Sequence, residues 1–396
     1  MNITDVGHLT SDADTGEDKM QVAVKREHKS AWDIAKFYTT AFKENIKKLN
    51  ITPPDIWCKA TDHIKEQLEW IKKLEKAGFT YQTSDGIYFD TSKLKNYGEL
   101  SQLKKQKLKA GARIKKGLQE KKNMHDFALW KFSPKDKKRD MEWKSKFGTG
   151  FPGWHIECTA MSTKYLGKQF DIHCGGIEHI PVHHTNEIAQ TEALTKKKWV
   201  NYWVHNEHLL LGEGKMAKSG KSFVTLTQLE EKGFSPLDLR YLYLNSHYRK
   251  QLYFSWEGLQ AAKTARSKLQ ERIKELTEEK KKGKGSAQAY KKQFAKNIND
   301  DLNTAGGLGV VWLAIKDTTI GNKEKLEFIK ECDPILGLEL LKVTKSAIPE
   351  KIKELAEQRL KARKEENWKK ADELRAKIEK EGYIVEDKPY GYRIKQ

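Results

Sequence analysis

Apolar residues recur at three- and four-residue intervals in two early stretches, SAWDIAKFYTTAFKENIKKL (residues 30–49) and ATDHIKEQLEWIKKLEKAG (60–78). That spacing predicts two amphipathic helices and makes residues 24–145 mostly helical by pattern. TYQTSDGIYFDTS (80–92) switches to short β-rich runs on either side of Asp85-Gly86, which predicts a hairpin across that dipeptide. NITDV (2–6) reads as the end of a strand. Residues 151–225 carry short apolar runs among Gly, His and aromatic residues, the pattern of an α/β domain. Helical spacing returns over 236–345, interrupted by the charged connection EEKKKGKGSAQAY (278–290). A highly charged helix is expected in IKELAEQRLKARKEENWKKADELRAKIEKEG (352–382), then two short strands, YIVED and YRI, joined by KPYG.

Composition narrows the class of partner. Lys+Arg number 75 and Asp+Glu 55, a net charge of +20, which favours a polyanion. Eleven Trp and 14 Tyr argue against disorder as the origin of that charge. No run of about 18 apolar residues is present, so no membrane partner is expected, and the polar, acidic start does not read as a secretory signal. Four cysteines in 396 residues do not make a disulfide framework, and a reducing cytoplasm is the default.

Two stretches concentrate chemistry. GEGKMAKSGKS (212–222) is rich in Lys, Gly and Ser, as an anion-binding loop would be. It is not a P-loop: Lys215 stands where the first glycine is required, and Gly214 is one residue too early. A solvated basic loop is the alternative. Residues 153–190 gather Cys158, Cys174, histidines and glutamates, the ligand types of zinc. His183 and Glu187 are four apart, so a helix through HHTNEIAQTEAL projects both from one face, with Cys158 delivered from another element. A polar helix start with structural histidines is the alternative.

The motifs GWHIEC, FDIHCGG, HHTNEIAQ, NYWVH, KMAKS and SHYRKQLYFSWEGL occur in an order that resembles the cysteinyl-tRNA synthetases, class I aminoacyl-tRNA synthetases. NITDV, ATDHI, GARI and DFALWK upstream, and DDLNTA and ARKEENWKKADELRAKI with DKPYG downstream, extend the likeness along essentially the whole chain. The resemblance implies an α/β fold: an incomplete Rossmann-type catalytic domain with a largely helical insertion, an α-helical bundle and a small mixed α/β C-terminal domain. The expected segments are 1–20 (remnant of the first Rossmann half), 21–150 (insertion), 151–235 (second half with zinc site and lysine loop), 236–345 (helical tRNA-binding domain) and 346–396 (anticodon-binding domain).

The same resemblance implies roles. Lys215-Met-Ala-Lys-Ser219 is similar to the family's KMSKS loop, with Ala217 at the middle serine. Lys215 and Lys218 would then stabilise charge on the pyrophosphate leaving ATP, with Lys218 the main ATP contact. Cys158, His183 and Glu187 occupy three of four family zinc positions. Trp154, beside the strand expected to carry Cys158, would pack around bound cysteine, and Glu178, where the family has Asp, would meet its amino group. Cys174 is a poor fourth ligand. The implied activity is cysteine–tRNA ligation with ATP and Mg²⁺, one Zn²⁺ per chain, and cysteine and tRNA(Cys) as substrates, in a monomer.

Two departures accompany the resemblance. No His-x-Gly-His occurs, so the family's HIGH signature and first zinc cysteine are not found, and an N-terminally truncated chain with reduced activity is expected. No Trp follows Gly391; Tyr390 or Tyr392 would either stack on an anticodon base or pack the last hairpin. Two other classes stay open: a non-catalytic tRNA- or zinc-binding derivative of a synthetase, and a cysteine ligase acting on a small amine, as in the mycothiol-pathway relative.

Overall fold

The computed structural model describes residues 1–7, 19–103, 120–134, 139–211, 214–215, 223–279, 281–342, 349–388 and 391–395. They form two compact units, Met1–Leu338 and Glu339–Gln396.

The first unit opens with β1 (Asn2–Ile3), α1 (Lys19–Glu27) and α2 (Ala31–Lys48). Helix α2 follows the predicted period. Ser30 caps it by accepting from the Asp33 N–H, the ordinary N-cap bond. β2 (Cys58–Lys59) pairs in parallel with β1, Asn2 opposite Cys58. A single 3₁₀ turn leads into α3 (Ile64–Lys76), whose Ile64, Trp70, Ile71 and Leu74 form a buried stripe at helical spacing.

Four antiparallel strands follow: β3 (Thr80–Thr83), β4 (Gly86–Phe89), β5 (Phe127–Phe132) and β6 (Gly150–Pro152), in that order across the sheet. This corrects two expectations. The hairpin turns at Ser84-Asp85, because Gly86 pairs with Thr83. The 21–150 segment is not simply helical. Phe127–Trp130 reads as one apolar run because β5 is a central strand buried on both faces, so no alternation shows.

The core of this region joins sheet to helices. Phe89, Phe127, Leu129 and Trp130 pack with Trp70, Ile71 and Leu74 of α3. The same cluster takes Ile156 from α4 (Trp154–Leu166) and Ala189 and Ala193 from α5 (Thr185–Thr195). β7 (Phe170–Gly176) lies between those helices in sequence and pairs in parallel with β8 (Val200–Asn206). β9 (Leu209–Leu211) is flanked by β10 (Gly214–Lys215), antiparallel to it, and later by β11 (Leu252–Phe254), parallel. Parallel pairing joined through helices fits the α/β reading of this segment.

Helices α6 (Leu226–Glu231), α7 (Pro236–Leu244), α8 (Trp256–Glu278), α9 (Gln288–Asn299), α10 (Thr304–Lys316) and α11 (Asn322–Leu336) complete the first unit. The Arg240 guanidinium on α7 donates to the carbonyls of Leu49, Asn50 and Leu336, tying the helices back to the end of α2.

In the second unit the charged segment is two helices rather than one, α12 (Glu350–Lys364) and α13 (Trp368–Lys380). Glu366 adopts φ 56° and Asn367 caps α13 by accepting from the Lys370 N–H. A residue with positive φ ends a helix, and an Asn cap starts the next. β12 (Ile384–Lys388) and β13 (Gly391–Lys395) pair antiparallel, as expected. Tyr392 is half-buried against the cluster of Ile352, Ala356, Ile378 and Val385, so its ring packs the hairpin; Tyr390 lies outside the described residues.

Candidate metal centre

The site begins where β6 hands over to α4. The Gly153 N–H donates to the Leu129 carbonyl over 3.0 Å, and a Cβ built on Gly153 would stand 2.0 Å from the Ala128 carbonyl oxygen. Only a residue without a side chain allows that approach. Helix α4 starts at the next residue and is buried from His155 through Ser162. Trp154 and Cys158 therefore lie on a helix, not beside or on a strand. A helix buried all round shows no polar face, which hides its period in the sequence. His155 and Cys158, three apart, share one face of α4.

The second element arrives as one wide π turn, Ile180–His184, continuous with α5. His183 and Glu187 sit four apart across that junction and meet as their spacing predicts, with Nε2 and Oε1 3.7 Å apart. Cys158, His183 and Glu187 bring one ligand atom each within 4.8 Å of one another, and all three are buried. His183 is held from two sides. Its Nδ1 lies 3.0 Å from His155 Nδ1, one of the pair carrying the shared proton. The Trp154 ring covers it at 4.3 Å between centroids.

Charge and burial fit a cation here. Burial pushes the Cys158 thiol well above its ordinary value, and the Glu187 and Glu157 carboxylates push it further. Burial pushes His183 well below its ordinary value, and the imidazoles of His155, His179, His184 and His173 add to this, leaving it neutral with a lone pair to give. Glu187 has no exposed surface, and neither of its oxygens accepts a hydrogen bond among the described residues. A buried carboxylate left this way costs several kcal/mol, and a bound cation would remove that cost. Cys sulfur, His nitrogen and Glu oxygen form the donor set zinc prefers.

The other expected site residues are placed unevenly. Glu178 lies one residue before His179 on the turn after β7, half-exposed, with its carboxylate 3.6 Å from His208 Nδ1. The backbone of Lys215 ends β10 against Leu210, while Lys218 lies outside the described residues. Cys174 is exposed on β7 and belongs to neither group of potential ligands among the described residues. All four cysteines are free.

Sequence spacing did not point to His155, His173 or His205. His155 was legible as the i−3 neighbour of Cys158, once α4 is a helix. His173 and His205 lie on paired strands, and only the parallel register of β7 and β8, with Gly175 opposite His205, brings them to α5.

Comparison with known proteins follows the same lines. A sequence model of the class I (C) tRNA synthetase catalytic domain matches residues 2–264, and one of the cysteinyl-tRNA ligase anticodon binding domain matches 345–392. The cysteine–tRNA ligase 1 of Burkholderia lata is 47% identical over 397 residues, spanning 100% of this chain and 83% of that protein. The cysteine–tRNA ligase of Treponema denticola is 44% identical over 418 residues (98% and 85%), and that of Zymomonas mobilis 39% over 452 (99% and 85%). Among the described residues no helix is long and apolar enough to cross a membrane.

Proposed function

This chain belongs to the cysteinyl-tRNA synthetase family of class I aminoacyl-tRNA synthetases, and from that membership we propose that it is a cysteine–tRNA ligase that selects cysteine at Cys158, His183 and Glu187. The buried triad carries this reading, because its three donors converge within 4.8 Å around a carboxylate that accepts no hydrogen bond among the described residues. A zinc ion bound there supplies a soft acceptor that takes a thiolate far more readily than a hydroxyl. A site built on that preference rejects serine in one step.

The chain's own residues divide the remaining work. His155, hydrogen-bonded to His183 Nδ1, and Trp154, tilted against its ring, hold that imidazole in its ligating orientation. Glu178, at the position where the family has Asp, would meet the substrate's ammonium group. Cysteine's carboxylate attacks the α-phosphate of ATP and pyrophosphate leaves. Lys215 and Lys218 stabilise the charge that develops on it, and Mg²⁺ would supply further neutralisation of phosphate charge. A ribose hydroxyl at the tRNA end then attacks the adenylate carbonyl and AMP leaves. The net charge of +20 and the segment 345–392 support a tRNA substrate over a small amine, which needs no anticodon-binding part. On this reading the segments 1–20, 21–150, 151–235, 236–345 and 346–396 carry the roles their family positions imply, and the chain works as a cytoplasmic monomer.

The test is cysteine-dependent ATP–pyrophosphate exchange by the full chain, with serine as control, alongside its zinc content. A zinc content that falls by one equivalent from wild type in Cys158→Ala and in His183→Ala, with exchange for cysteine only, is the expected result. Zinc content equal to wild type in both variants overturns the triad. Stoichiometric zinc without exchange or aminoacylation leaves a zinc-binding derivative.

A further inference from the structure

Glu187 has a second side. Its Oε1 faces His183, but its Oε2 lies 3.2 Å from His173 Nε2 and 3.9 Å from His184 Nε2. His173, His184 and Glu187 again bring one ligand atom each within 4.8 Å of one another. Side-chain exposure is 12% for His173, 3% for His184 and 0% for Glu187. An ion held by Cys158, His183 and Oε1 would still leave Oε2, buried and accepting no hydrogen bond among the described residues, aimed at two imidazole nitrogens.

We propose that His173, His184 and Glu187 Oε2 form a second transition-metal position, with Glu187 bridging it to the Cys158 triad. Two imidazoles and a carboxylate suit Zn²⁺, Co²⁺ or Ni²⁺ rather than Mg²⁺ or Ca²⁺, which take oxygen ligands. The surroundings are arranged for ligation. His184 Nδ1 lies 2.8 Å from His205 Nε2, which anchors the far side of the ring and leaves Nε2 toward Glu187. The His173 ring is set against Trp199 and Trp203, with centroids at 5.5 and 4.9 Å. A Cβ at Gly175 would stand 2.5 Å from His184 Cε1, so a glycine there keeps room for the ring. His173 is the least buried of the three.

Occupation of this position ties down the carboxylate that the first ion shares. Excess metal therefore slows cysteine activation, while one equivalent supports it. The proposal rests on the reading of the first triad only through Glu187, and the test separates the two. Purified full chain is titrated with Co²⁺, uptake is measured by equilibrium dialysis, and the thiolate-to-cobalt absorption band is followed. Wild type takes up two equivalents, the band saturating with the first. His173→Ala and His184→Gln, each checked for folding by circular dichroism, take up one equivalent and keep the band. Cys158→Ala takes up one equivalent without the band. Saturation of wild type at one equivalent overturns the second position, as does uptake of two equivalents by both histidine variants. If Cys158→Ala alone is unchanged in uptake and band, the first triad falls and this position stands.

Discussion

Gly153 and the carbonyl of Ala128 are so close that no side chain fits between them: a Cβ on Gly153 would lie 2.0 Å from that oxygen. Strand β5 of the antiparallel sheet thereby fixes the first turn of the helix that carries Cys158. The same sheet shares its core with Ile156 of α4 and Ala189 of α5, so one packed unit sets the spacing between Cys158 and Glu187. Gly153→Ala must push α4 away from β5, a form of overpacking that costs about 1–3 kcal/mol. The expected outcome is a lower thermal midpoint together with weaker zinc retention. An unchanged midpoint and zinc content would show that β5 does not position the helix.

His155 meets the proposed ligand set at His183, with the two Nδ1 atoms 3.0 Å apart. Its Nδ1 hydrogen bond orients that imidazole, and loss of such a partner commonly weakens metal affinity about 10- to 100-fold. His155→Ala should show that loss in competition with a chromophoric chelator while the fold is kept. Equal affinity in mutant and wild type would remove His155 from the site.

Lys218→Ala should slow ATP–pyrophosphate exchange by about 10²–10³-fold, the size seen when one donor to a developing anion is removed. Zinc content should not change, because the proposed ligands are Cys158, His183 and Glu187. Lys215→Ala should fall in the same direction. A rise in the KM for cysteine at unchanged kcat would place these lysines in amino-acid binding instead.

Arg359 and Asp387 hold the second unit together. The guanidinium of Arg359, 2% exposed, donates from both terminal nitrogens to the two carboxylate oxygens of Asp387, at 2.7 and 3.1 Å. That bond holds the Asp387 carboxyl below its ordinary value, with the charges of Arg359, Arg363 and Arg375 acting in the same direction. A carboxyl with a depressed native value binds fewer protons folded than unfolded. Its stabilisation is therefore complete above the ordinary aspartate value of about 3.9 and is lost as the pH falls through the native value. Because the Asp387 side chain is 40% exposed, solvent screens the pair, and Asp387→Asn should cost about 1 kcal/mol at neutral pH, with the difference from wild type shrinking in acid below about pH 4. Urea unfolding followed across that range checks both; a pH-independent difference would mean that packing, not charge, sets the loss.

Glu366 occupies φ 56° between α12 and α13. Glycine adopts that conformation without strain, so Glu366→Gly should be neutral or stabilising by up to about 1 kcal/mol despite its added freedom. Asn367→Ala, which removes the cap on α13, should cost about 1 kcal/mol. A loss in Asn367→Ala with none in Glu366→Gly, measured by chemical unfolding, would confirm that the break between the helices is a built turn.

Sequence alone determined much of this protein, for local reasons. The four-residue spacing of His183 and Glu187 placed both on one helical face, because that relation depends only on the helix repeat. Helices α2 and α3 and the hairpin of β12 and β13 were legible because one face of each is polar and the other is not. The break of α12 from α13 was not legible, since charged residues run through it without a change of pattern. Nor was β5, whose apolar run carries no period, or α4, whose burial on all sides erases one. Tertiary structure alone decided what surrounds Glu187. His155 and Cys158 on α4, His183 and His184 at the start of α5, and His173 and His205 on two parallel strands reach the site only through packing and strand register. Such contacts join residues far apart in the chain, and no periodicity within one segment encodes them.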